Sequence, residues 1–332
     1  MKNKTFPWSR RQALTVAAAL AACTLGSSGA LAQGAWPGTQ PIKLVVPFTA
    51  GSGTDIVARL VAEKLGPALG TSVIVDNKPG AGGTLGAAIT AKSPADGYTL
   101  LVHSAGHLVN PWIYKGLSYD TIKDFTGITP MASLPNVLVT APAHFTNVQD
   151  LVAKVKAKPG SFNYGSAGNG SATHMNAEVF RLAAGLDAQH VPFRGTPEAM
   201  TEVMSGRVDW FFAPMVSALP LIKSGKLQAL AVGTAQRSPA LPDAPTTVEA
   251  GVPGSAYLFW VGLFAPAKTP QPVVERLQAE VAKIMVSPEL KERLEKLGAE
   301  PFTMPSAQFN KFIVDETAKA QQVVKAASIK VD

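Results

Sequence analysis

The sequence predicts an α/β protein built as two lobes, and three observations predict it. The chain has 332 residues, too many for one ordinary core and enough for two lobes of about 100–150 residues each. From Ile42 onward short apolar runs alternate with segments of helical period, the pattern of parallel βαβ units with right-handed crossovers. That pattern breaks over 127–141, a long apolar run interrupted by Pro130 and Pro135. Proline cannot donate to a central ladder, so this run reads as the chain crossing from one lobe to the other.

The first lobe opens with a strand over 42–48. An amphipathic helix follows over 54–69, with Ile56, Leu60 and Val61 on one face. A strand over 72–76, a short helix over 83–92 and a strand over 98–103 complete its first part. The second lobe repeats the alternation. Helices are expected over 147–158, 171–184, 197–205 and 216–224, and strands over 162–165, 189–193, 208–213 and 227–233. A proline-rich loop over 238–254 leads to an apolar run, 257–265, that returns to the first lobe. Helices over 272–286, 288–297 and 306–327 end the chain. The lobes are therefore expected as 33–131 plus 257–332, and 132–256.

Residues 1–32 read as an export signal. A basic stretch over 1–12 precedes an apolar run over 13–25, and Ala30-Leu31-Ala32 fits the small-residue pattern before a cut at Gln33. The apolar run is shorter than the roughly 20 residues that a bilayer span needs. Arg10-Arg11 resembles a twin-arginine signal, and Leu20-Ala21-Ala22-Cys23 offers a competing lipidation site. Cys23 is the only cysteine, so a chain cut at Gln33 has no disulfide, thiolate metal site or cysteine nucleophile. No cofactor is expected.

Charge excludes a further class. The formal charge is +7, and Lys2, Lys4, Arg10 and Arg11 lie within the signal. Subtracting them leaves 26 basic against 23 acidic residues, or +3, with no long basic run and no footprint for nucleic acid.

Three glycine-rich turns carry the candidate chemistry. The first, Pro47-Phe48-Thr49-Ala50-Gly51-Ser52-Gly53-Thr54-Asp55, follows a strand and opens a helix. Free N–H groups at a helix start bind an anion without a basic side chain. The same residues also suit a plain βα turn with a Thr or Asp cap. The second turn runs from Asn77 to Thr84. The third, Tyr164-Gly165-Ser166-Ala167-Gly168-Asn169-Gly170-Ser171-Ala172-Thr173-His174, belongs to the other lobe. Strand ends facing across a cleft would enclose a small anion from both sides.

Catalytic readings are weaker. Ser166 lacks the first glycine of a nucleophile elbow, because Tyr164 stands there. His103 and His107 have metal-ligand spacing but read as loop histidines, and no metal is expected. Arg194 ends a second-lobe strand, where it meets either a ligand carboxylate or solvent.

Several motifs occur in order: Pro47-Phe48-x-Ala50-Gly51-x-x-x-Asp55, Asn77-x-Pro79-Gly80-Ala81-Gly82-Gly83, Asp96-Gly97-Tyr98-Thr99-Leu100, Gly168-x-Gly170-Ser171-x-x-His174, Val191-Pro192-Phe193-x-Gly195, Leu241-Pro242-Asp243-x-Pro245-Thr246 and Glu249-x-Gly251. As an ordered set, spanning essentially the whole chain after the signal, they resemble the substrate-binding proteins of tripartite tricarboxylate transporters, the Bug family. The resemblance implies a type II periplasmic-binding-protein fold, with two α/β lobes joined by a hinge of two crossing segments. It implies a binding protein that takes a small carboxylate (an amino-acid, di- or tricarboxylic, or aromatic acid) to membrane permease subunits. The export signal puts it in the periplasm, the lack of a recognisable nucleophile–base set argues against an enzyme, and a monomer is the default. A sensor co-receptor or a periplasmic enzyme are the alternatives.

Carried over residue by residue, the resemblance points to Phe48, Gly51, Ser52, Thr54, Ser104, Gly168, Ser171, Thr173, His174 and Gly195 as ligand-binding. Asp55 matches an acidic position that orders the first turn, and Asp209 one that approaches a ligand. Arg194 joins the set from its own position. One departure stands out: the family's second glycine after Ala50 is Ser52 here, which brings a hydroxyl into the cradle and would restrict the backbone.

Overall fold

The computed structural model describes residues 36–329. The expected signal over 1–32, with its cut site and Cys23, lies outside the described residues. Every element below belongs to one unit, residues 39–332.

In chain order the elements are β1 (Ile42–Val46), α1 (Gly53–Leu69), β2 (Val73–Asn77), α2 (Thr84–Ala91), β3 (Thr99–Ser104), α3 (Asn110–Ile113), β4 (Phe125–Ser133), β5 (Asn136–Thr140), α4 (Val148–Ala157), β6 (Asn163–Ser166), α5 (Ala172–Ala184), β7 (Gln189–Pro192), α6 (Thr196–Met204), β8 (Trp210–Pro214), α7 (Met215–Lys223), β9 (Gln228–Val232), β10 (Trp260–Pro266), α8 (Gln271–Met285), α9 (Pro288–Lys296), β11 (Glu300–Pro301) and α10 (Ser306–Ala327). A 3₁₀ turn, Ala105–Leu108, joins β3 to α3.

Two sheets result. The first has the order β11-β4-β10-β3-β1-β2 and the second β7-β6-β8-β5-β9. Strands β1, β2 and β3 run parallel, as do β6, β7 and β8, in keeping with the βαβ alternation of the sequence. The returning strand β10 is inserted antiparallel between β3 and β4. This is the two-lobed α/β binding-protein fold.

The apolar run 127–141 falls across both sheets. It breaks at Leu134-Pro135, β4 pairing in the first sheet and β5 in the second. Pro130 is tolerated inside β4 because the β4–β10 ladder shifts register beside it. The two crossings are tied together where Leu134 N–H donates to Phe259 O at 2.8 Å.

Each sheet carries its own core. Trp260, Phe264 and Phe309 pack with Val45 and Leu101 in one lobe. Trp210, Phe180, Phe212 and Tyr164 pack in the other. Strands β8 and β10 are buried along their whole length, so helices must cover both faces of each sheet. Among the described residues no helix is long and apolar enough to cross a membrane.

Candidate ligand-binding site

The carboxyl ends of the parallel strands in the two sheets meet at a small pocket of about 10 Å³, room for about one water. The first lobe lines it with Phe48, Ser52, Gly53, Thr54 and Ser104, and the return crossing adds Phe259. The second lobe lines it with Ala167, Ser171, Ala172, Thr173, Thr196 and Pro214. None of these side chains is ionisable. Four helices begin at the wall: α1 after Ser52, α5 after Ser171, α6 at Thr196 and α7 after Pro214. Each contributes a partial positive charge, although the first amides of α6 and α7 are engaged, Thr196 N–H by Ser52 Oγ and Met215 N–H by Pro135 O. Ser104 Oγ is also buried here, with no hydrogen-bond partner among the described residues. A wider groove of about 680 Å³ lies elsewhere, at 238–240 and 286–301, but no comparable set of helix starts lines it.

The first turn is shaped by Asp55. Its Oδ2 accepts from Gly51 N–H at 2.9 Å and from Arg59 Nε at 3.0 Å. Its Oδ1 accepts from Asn77 Nδ2 at 2.8 Å, which also donates to Phe48 O at 3.0 Å. Both carboxylate oxygens are thus engaged in holding the turn and tying it to the second turn. Gly51 takes the left-handed conformation, φ 83°. Ser52 sits at an ordinary φ of −69°, so the serine does not strain the turn as the sequence suggested.

The third turn is held by neutral groups. Ala167 N–H donates to Thr173 Oγ1 at 2.9 Å, and Gly168 N–H to Ser166 Oγ at 3.0 Å. Gly170 N–H donates to His174 Nδ1 at 3.0 Å, and Ser171 Oγ caps α5 by accepting from His174 N–H at 3.2 Å. Ser166 Oγ also lies 2.6 Å from His190 Nε2, within hydrogen-bond distance. The His174 and His190 rings stack at 3.8 Å. Burial pushes each of these histidines down to about 3.

The structure brings six of the sequence's candidates to the cavity wall: Phe48, Ser52, Thr54, Ser104, Ser171 and Thr173. Gly51, Asp55 and His174 stand behind it and shape the turns. Gly168 and the exposed Arg194 line an adjoining groove of about 360 Å³, with Gly80–Gly83, Tyr114 and Glu198. Gly195 is the N-cap residue of α6.

Two expectations are corrected. Asp209 precedes β8, at the end opposite Pro214 and roughly 16 Å away along the strand. There it accepts from Asn163 N–H at 2.7 Å and meets His144 Nε2 at 2.8 Å, so it braces the far edge of the sheet. His103 and His107 are not loop histidines. Both are wholly buried, with rings 4.9 Å apart, against Phe48, Phe125 and Phe264. Burial pushes His103 down to about 3 and His107 in the same direction. Among the described residues no group of three His, Cys, Asp or Glu could hold a metal ion.

Sequence reasoning missed Gly53, Ala167, Ala172, Thr196, Pro214 and Phe259. A rule naming the first residues of every helix that follows a parallel strand would have found Ala172 and Thr196.

Comparison with known proteins agrees with this architecture. Residues 57–329 match the model of the tripartite tricarboxylate transporter family receptor. Protein BugT of Bordetella pertussis is 32% identical over 310 residues, covering 92% of this chain and 95% of BugT. The structure of Rpa4515 from R. palustris with adipate superposes with a TM-score of 0.86 at 34% identity, covering 89% of this chain and all of that one. MatC from Rhodopseudomonas palustris with bound malate gives 0.81 at 32% identity, covering 86% and 99% of the two chains. With its two sheets, its paired crossings and its match from 57 to 329, the chain belongs to the receptor family of the tripartite tricarboxylate transporters.

Proposed function

We propose that the protein is a periplasmic solute-binding protein that closes two lobes on one carboxylate group of a small acid and delivers the acid to membrane permease subunits. One observation carries this reading: four helix N-termini converge on a buried cavity with no ionisable side chain in its wall. Such a wall favours a negative charge and offers no acid–base group to react with it. The space holds about one water as it stands, so the lobes would part to admit the acid, whose carboxylate would meet Ser104 Oγ and the amides at the starts of α1 and α5. The adipate and malate held by two similar structures support the ligand class.

The lobes, 33–131 plus 257–332 and 132–256, would rock about the paired crossings, and the acid would shift an equilibrium between open and closed forms. Export through the 1–32 signal places this exchange in the periplasm. A monomer with no cofactor suffices.

The Ser166–His190 pair favours a second reading, a hydrolase. Ser166 is fully buried, and its hydroxyl already accepts from Gly168 N–H, so in the binding reading it orders the turn. Labelling of Ser166 by a fluorophosphonate would decide for the hydrolase.

The test of binding is a thermal-shift screen of mono-, di-, tricarboxylic and aromatic acids, with amines and sugars as controls. A bound acid at a hundredfold excess over Kd adds about 2.7 kcal/mol of stability. The expected outcome is a raised midpoint with one class of acids, abolished in the Ser171→Ala/Thr173→Ala double variant. A shift with sugars or amines alone, or with nothing, would sink the carboxylate reading.

A further inference from the structure

Helix α6 begins without a cap of its own. Its N-cap residue is Gly195, extended at φ −174° and ψ 177°, and glycine has no side chain to satisfy the first orphan amides. Thr196 N–H is satisfied from the other lobe instead. It donates to Ser52 Oγ at 3.1 Å, across 144 positions of sequence, with both residues buried. The missing side chain at Gly195 is what permits the approach. A β-carbon there would lie 2.7 Å from Ser52 Oγ and 1.9 Å from Thr49 Oγ1.

Two further bonds grip the same turn. Thr49 Oγ1 donates to Glu198 Oε2 at 3.1 Å, in the first turn of α6, and Ser217 Oγ donates to Gly51 O at 3.0 Å, in α7. Residues 49–52 of the first lobe are therefore held at three points by the second. Of the three bonds, only the one from Thr196 to Ser52 is fully buried, and Ser52 is also the only one of the three first-lobe partners that lines the cavity.

We propose that Ser52 is a positioning residue that caps helix α6 in trans, so that closing the lobes completes a helix N-terminus and thereby tightens the hold on the ligand. The affinity part of the proposal rests on the carboxylate reading; the cap itself does not. With the lobes apart, Thr196 N–H and Ser52 Oγ each turn to water. With the lobes together they satisfy one another where water is excluded. The accepting oxygen keeps its own hydrogen, which remains available to a carboxylate in the cavity. Ser52, where the family pattern has glycine, thus links closure of the cleft to the shape of its wall.

The test has two readouts. The first uses ligand-free protein and follows hydrogen exchange at the Thr196 amide. Exchange should be slowed in the wild type and faster in Ser52→Ala. Equal rates in the two proteins overturn the cap, whatever the ligand proves to be.

The second readout is the affinity for malate and adipate, measured for Ser52→Ala in two backgrounds. Thr196→Ala keeps the amide and removes only the side chain. Thr196→Pro removes the amide, and the first helical position after an extended residue tolerates proline. Ser52→Ala should weaken binding about 3- to 10-fold beside Thr196→Ala and leave it unchanged beside Thr196→Pro. Equal weakening in both backgrounds would mean that Ser52 acts on the ligand directly, and would overturn the proposal. If neither acid binds any of these proteins, the dicarboxylic form of the carboxylate reading is what fails, while the exchange rates still decide the cap.

Discussion

The first and third glycine-rich turns do the same job in opposite lobes, but they are held by different chemistry. The first is organised around a charged group, Asp55, which takes Gly51 N–H, Arg59 and Asn77 on its two oxygens. The third is organised around neutral groups, the hydroxyls of Ser166, Ser171 and Thr173 and the stacked imidazoles of His174 and His190. A carboxylate clamp works while ionised. A buried imidazole that accepts a hydrogen bond works only while neutral. The same cradle can therefore fail in two ways.

Acidification should give the largest effect, and it acts in both lobes, on His174 and His190 in one and on His103 and His107 in the other. The folded values of His174 and His190, about 3, lie below the ordinary value of 6.5, so between those limits the unfolded chain binds more protons than the folded one. Their stability contribution is complete above about pH 6.5 and is lost as the pH falls toward 3. By pH 5 the loss is on the order of 2 kcal/mol for each, and His103 adds to it in the same direction. Melting curves should show a steep fall in midpoint from pH 7 to pH 5, and His190→Phe should flatten the slope. A flat profile in the wild type would mean that these rings are not buried neutral.

Next in size is the clamp of the first turn. Asp55→Ala leaves Gly51 N–H and Asn77 Nδ2 without their acceptor, at a cost of about 2–4 kcal/mol. Denaturant unfolding at pH 7 measures it, and a loss below 0.5 kcal/mol would refute the clamp. Smallest is the cap of α5: Ser171→Ala should cost about 1 kcal/mol. If Ser171→Ala proves costlier than Asp55→Ala, the ranking of the two turns is reversed.

Much of this arrangement is legible in the sequence. Periodicity locates the strands and helices, and glycine clusters between them locate the turns. Pro135 marks the crossing, where the chain leaves one sheet for the other, whereas Pro130 stays inside β4 beside a register shift. Other parts are hidden for physical reasons. His103 lies at the end of a strand and His107 in the turn after it, beside Gly106, a local setting that suits a loop. The aromatic wall that buries them comes from Phe48, Phe125 and Phe264, far away in sequence. Asp209 was misplaced because a strand carries residues at both its ends, and pattern alone does not say which end faces the cleft.

The sequence by itself determined the alternation of elements, the glycine turns and the neighbourhood in which most helices start. These depend on neighbours a few positions apart, where propensity and capping act. Only the tertiary structure decided which of those helix starts face one another, which amides are already engaged, and which lobe caps α6. Those outcomes depend on groups such as Ser52 and Thr196, separated by 144 positions, and a hydrogen bond forms only where folding brings its two ends to about 3 Å.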